Sequence, residues 1–126
     1  MTKPELNALS TLALAHVGDA VYELLVRSYL SSHGLVKVTE LHRATVSMVK
    51  ASAQAEAAAR LLPLLTEEER AVYRRGRNSH VGSVPQAATK AEYHTATGLE
   101  AVFGWLHLAG ESERISELFG HIVRAE

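Results

Sequence analysis

Cysteine is absent from the 126 residues, which excludes a disulfide framework, a thiol nucleophile and any zinc site built on thiolates. A metal held by this chain must take oxygen or imidazole ligands. Prolines number three, so neither a collagenous nor a Pro-rich disordered chain is possible. No run of four to eight β-branched or aromatic residues is bounded by turn signals, which leaves strands without a place and predicts an all-α fold. The N-terminal apolar run is interrupted by His16 and Asp19, too short and too polar for a signal peptide or a membrane span. A soluble, cytoplasmic protein with no membrane partner is the expectation.

With 47% hydrophobic and 21% charged residues, the chain can bury roughly two-thirds of its unfolded surface as one domain over 1–126. The formal net charge of -1 excludes coating of nucleic acid by bulk charge. Its distribution is uneven. Arg70, Arg74, Arg75, Arg77 and Lys90 lie in a window without acids, so residues 70–90 carry +5 and the remainder -6. A local basic footprint sits on an acidic body.

Five main helices are predicted. Leu14, Val17, Val21, Leu24, Leu25 and Ser28 recur at helical spacing from about Ser10 to Ser31, ending at His33-Gly34. Thr39 is read as the N-cap of a second stretch through Leu41, Val46 and Val49 to Leu62, with a break near Ser47 and closure at Pro63. Thr66 and Glu69 form a capping box, and Glu67, Glu68 and Glu69 complement the start of a third helix reaching Arg77. Residues 78–88 read as a surface loop with Gly82 and Pro85. A fourth helix over Thr89–Ala109 gathers Leu99, Val102, Phe103 and Leu106, and a fifth over Ser112–Arg124 gathers Ile115, Leu118, Phe119 and Ile122.

Three constellations can carry chemistry. The only aspartate, Asp19, lies in the apolar stretch His16-Val17-Gly18-Asp19-Ala20-Val21-Tyr22-Glu23, on a helical face shared with Glu23 and Ala15. Alternatively Gly18 breaks the helix and Asp19 caps a new one. Glu100 sits among apolar and small residues with no Lys or Arg within one turn, so it either faces solvent or is held by a cation. Were Asp19 and Glu100 within about 5 Å of each other, their repulsion would be about 3 kcal/mol at an effective dielectric near 20, and a divalent cation would relieve it. Arg74, Arg75 and Arg77, followed by Asn78 and His80, fit phosphate contacts, although basic residues in a last turn also favour the helix dipole. The seven histidines form no zinc-type pair.

The segments Leu14-Ala15-His16-Val17-Gly18-Asp19-Ala20-Val21-Tyr22-Glu23, Arg74-Arg75-Gly76-Arg77-Asn78 and Thr97-Gly98-Leu99-Glu100-Ala101 resemble the bacterial Mini-ribonuclease III family. The resemblance covers nearly the whole chain. It implies a ribonuclease III-like helical bundle, homodimeric, that hydrolyses phosphodiester bonds in double-stranded RNA with magnesium. Asp19 and Glu100 are the implied catalytic and metal-holding pair. The larger ribonuclease III pattern carries a further acid at each of two positions that here are Ala15 and Thr97, which leaves the metal count open and makes Tyr22, Glu23 and Thr97 conceivable auxiliaries. With no separate RNA-binding domain expected in these residues, grip falls to Arg74, Arg75, Arg77, Asn78 and His80. The implied substrate is the precursor of 23S ribosomal RNA, with a large-subunit ribosomal protein as a helper.

Two other classes compete with that expectation. A non-catalytic helical RNA-binding or ribosome-assembly module needs neither acid for chemistry. A helical nucleoside triphosphate pyrophosphohydrolase would need paired helical acids, and the position it requires before the only aspartate holds His16.

Overall fold

The computed structural model describes residues 1–79 and 89–124. Among them are seven α-helices and no strand: α1 (Lys3–Ala8), α2 (Thr11–Ser32), α3 (Val38–Val49), α4 (Ala51–Leu61), α5 (Glu67–Arg77), α6 (Lys90–Leu108) and α7 (Ser112–Arg124). A short 3-10 turn, Leu62–Leu64, holds Pro63 between α4 and α5. The expected second helix is two, broken at Lys50, whose extended backbone ends α3 and begins α4. Lys37, not Thr39, precedes α3, and it makes no side-chain cap. The additional helix, α1, carries its own capping box of Thr2 and Glu5, with Pro4 in the first turn.

Local chemistry sets the helix starts. Thr66 with Glu69 and Thr89 with Glu92 each close a reciprocal capping box, satisfying backbone donors that a helix start leaves free. Gly34, at φ +97°, lets the chain turn after α2 without the strain that a side chain would meet.

Helix α6 is the axis of the bundle, packed by α2, α4, α5 and α7. Ten of its residues are buried, Leu99, Val102, Phe103 and Leu106 among them. Two glycine crossings bring neighbours close. Gly18 of α2 and Gly104 of α6 meet with their backbones in contact, and Gly76 of α5 meets Gly98 of α6 in the same way. Tyr22 packs edge-to-face on Phe103 and Phe119 at 5.4 and 6.1 Å. Ile115, Leu118, Phe119 and Ile122 of α7 close the other side.

The buried stripe of α2 differs from the sequence expectation. It is Leu14, Ala15, Gly18, Tyr22 and Val26, while Leu24 stays 66% exposed. Close approach to α6 selects small side chains at the contact, so bulk and hydrophobicity alone mark the wrong edge of the stripe.

A charged clamp ties α5 to α7. Arg114 donates to both Glu69 oxygens at 2.9 and 2.8 Å and to the Leu64 carbonyl at 2.9 Å. Its partner Glu69 is also the third residue of the α5 capping box. Among the described residues no helix is long and apolar enough to cross a membrane.

Candidate active site

Helix α2 runs unbroken through Gly18, so Asp19 does not cap a new helix. Glycine at 18 instead lets α2 lie against the α6 backbone at Glu100. Asp19 is exposed on α2, and Glu100 is half-buried on α6. Both line one cavity at the crossing, near enough for the Asp19 carboxyl to raise that of Glu100.

A cavity of about 170 Å³ opens there, lined by Leu12, Ala15, His16, Asp19, Tyr93, Thr97 and Glu100. Both lining faces follow helical spacing. Residues 12, 15, 16 and 19 form one face of α2, and 93, 97 and 100 one face of α6. Ala15 and Thr97 therefore line the same cavity as the two acids. The Thr97 hydroxyl is spent on the Tyr93 carbonyl, donating at 3.0 Å. His16, which the sequence places in the Asp19 stretch without a site role, and Tyr93, which it does not single out, both line the cavity, and their spacing to Asp19 and Glu100 puts them on the same faces.

Burial and the adjoining Asp19 carboxyl push the Glu100 carboxyl up to about 8, and the side-chain amide of Gln54 opposes that rise. Gln54 Nε2 donates to Glu100 Oε2 at 3.4 Å. Glu100 forms no ion pair with Lys or Arg among the described residues. Two hard oxygen donors that repel each other and lack a cation suit a divalent metal. Among the described residues no group of three or more His, Asp or Glu converges, and the two carboxyls are the acidic groups that line the cavity. Magnesium, which keeps most of its waters, is compatible with so few.

The arginines belong to the stretch of α5 that packs on α6 near Thr97. Gly76, buried between Arg75 and Arg77, packs on Gly98 and lies close to the Thr97 carbonyl and the Ala101 side chain. Arg74, Arg75 and Arg77 are exposed around this contact. None of the three forms an ion pair among the described residues. Arg77 lies over the Tyr73 ring at 5.8 Å and donates to Asn78 Oδ1 at 3.4 Å. Asn78 is the C-cap of α5, and His80 and most of the expected loop lie outside the described residues. Arg70 is engaged elsewhere, donating to the Leu62 and Pro63 carbonyls.

Two conceivable auxiliaries stand apart from the cavity. Tyr22 is buried in the aromatic core, and Glu23 pairs with Arg27 at 2.8 Å.

The ribonuclease III domain family matches residues 12–111, a span that includes both acids and the arginines. Mini-ribonuclease 3 of Symbiobacterium thermophilum is 48% identical over 110 residues, covering 87% of this chain and 85% of that protein. Mini-ribonuclease 3 of a Thermoanaerobacter species is 44% identical over 118 residues, covering 94% and 83%. The chain belongs to the Mini-ribonuclease III family. As a Mini-ribonuclease III it is an endoribonuclease of double-stranded RNA. Its fold recurs in the crystal structure of a Fusobacterium nucleatum protein, with a TM-score of 0.86 at 29% identity over 94% of each chain.

Proposed function

We propose that this endoribonuclease cuts base-paired RNA at the α2–α6 crossing, with magnesium held by Asp19 and Glu100. The convergence of these two carboxyls on one cavity carries the reading. Magnesium, when bound, polarises the scissile phosphate and lowers the pKa of an attacking water. Asp19, exposed, and Glu100, half-buried, both line the cavity and would hold the ion, Glu100 as its carboxylate. No thiol or hydroxyl nucleophile is required of the chain.

Substrate grip is assigned to Arg74, Arg75 and Arg77 with Asn78. Exposed guanidinium groups without an ion pair among the described residues suit phosphate oxygens of a duplex, which is recognised through backbone and shape. Residues 1–126 act as one catalytic domain, and a homodimer presents the arginine surface twice along one duplex. The substrate of this reading is the precursor of 23S ribosomal RNA, cut in the cytoplasm at a base-paired stem with a large-subunit ribosomal protein as a helper.

The test is cleavage of a base-paired ribosomal RNA precursor by the wild type, Asp19→Asn and Glu100→Gln, with magnesium and with chelator. Cutting that requires magnesium and is lost in both variants, with RNA binding retained, is the expected result. Binding without cutting by the wild type would instead favour the assembly-module reading.

A further inference from the structure

We propose that Gln54 is a positioning residue that holds the Glu100 carboxylate ready for the cation, an inference that rests on the metal-site reading above. Gln54 lies on α4 and is 3% exposed. Its amide nitrogen donates to the Val49 carbonyl at 2.8 Å and to Glu100 Oε2 at 3.4 Å. The Val49 carbonyl accepts only, so the amide must turn its nitrogen toward it, which also aims an N–H at Glu100. Oε1 of the same amide is buried and has no hydrogen-bond partner among the described residues.

That combination is unsuited to a purely packing role. A buried acceptor without a donor is destabilising, and an apolar side chain of similar bulk would avoid it. What the amide supplies, and a leucine or methionine cannot, is an N–H for the carboxylate. Val49 provides the anchor. It is the last residue of α3, and its carbonyl is one of those that a helix end leaves without an intrahelical donor. Gln54 thereby connects a fixed point of the backbone, the α3–α4 break, to a glutamate that has no cationic partner among the described residues. With Oε2 tied to the amide, rotation of the Glu100 carboxylate is restricted before a cation arrives, which reduces the ordering cost of binding it.

The experiment measures Mn2+ binding to the full chain without RNA, by electron paramagnetic resonance, for the wild type, Gln54→Leu, Asp19→Asn and Glu100→Gln. Gln54→Leu is expected to weaken Mn2+ binding by about 10- to 100-fold while remaining folded in chelator, where any fall in the thermal midpoint reads the lost Val49 contact. In a Glu100→Gln background the same substitution is expected to change Mn2+ affinity no further, since the group it positions is gone. Gln54→Met, unbranched and similar in volume, takes the same measurements should the leucine variant not fold. Unchanged Mn2+ affinity in the folded variant, or an equal loss in both backgrounds, would overturn the positioning role. Should Asp19→Asn and Glu100→Gln also bind Mn2+ like the wild type, the metal-site reading itself fails; loss in those two alone overturns only the part played by Gln54.

Discussion

The Cβ that Gly18 lacks would fall 1.6 Å from the Glu100 carbonyl oxygen, so the helices bearing the two acids touch backbone to backbone beside the acids themselves. At the same crossing a Cβ on Gly104 would fall 1.9 Å from the Leu14 carbonyl oxygen. Neither obstacle is a flexible side chain that could swing aside.

Gly18→Ala and Gly104→Ala are therefore expected to destabilise the fold by about 3 kcal/mol each, at the upper end of overpacking costs. Urea denaturation checks this through a lower midpoint. A stability loss under about 0.5 kcal/mol, the usual range for surface substitutions, would contradict the close crossing.

The raised Glu100 carboxyl links metal binding to protons. Because the carboxyl titrates near 8 in the metal-free fold, a cation must displace a proton at neutral pH, and Mg2+ affinity should rise with pH up to about that value. Calorimetry in buffers of different ionisation enthalpy would read the released proton. Stability runs the opposite way. A carboxyl raised in the fold contributes stability that is complete below its unfolded value of 4.5 and is lost as pH rises through about 8. In chelator the thermal midpoint should therefore be lower at pH 8.5 than at pH 6, and Asp19→Asn should shrink that difference by removing the adjoining negative charge.

The Glu69–Arg114 clamp has the reverse pH signature. Hydrogen bonds from Arg114 and from the Thr66 backbone outweigh burial and hold the Glu69 carboxyl below its ordinary range. Its contribution is present above the unfolded value and is lost as pH falls through the lower, folded one. Arg114→Ala leaves a buried carboxylate without its partner and should cost about 3 kcal/mol at neutral pH. Acid titration followed by circular dichroism should show that this variant loses less of its remaining stability as the pH falls.

Phosphate contacts by the arginines predict a salt dependence. Each neutralised phosphate contributes about -0.7 to -0.9 to the slope of log affinity against log salt, so Arg74→Ala and Arg77→Ala should each flatten it by nearly one unit. Arg70→Ala should leave the slope unchanged and lower stability, because Arg70 serves the Leu62 and Pro63 carbonyls. Equal slopes for wild type and both exposed variants would reduce Arg74 and Arg77 to partners of the helix dipole.

Much of this protein is determined locally and was legible in the chain. The capping box at Thr66, the helix start at Thr89, the turn at Gly34 and the apolar faces of α6 and α7 depend on residues within a turn or two of each other, where hydrogen bonding and periodicity act without help from the rest of the fold. The two acids stood out for the same reason, as ionisable groups in apolar stretches. Only the tertiary structure decided that Asp19 and Glu100 meet, that Tyr22 belongs to the aromatic core, that Leu24 stays exposed, and that Gln54 reaches Glu100 from a third helix. Each of those outcomes depends on where helices distant in sequence cross, and the crossings depend on missing side chains. A glycine has no pattern that names its partner; Gly18 acquires its meaning from the Glu100 backbone that occupies the space a Cβ would need.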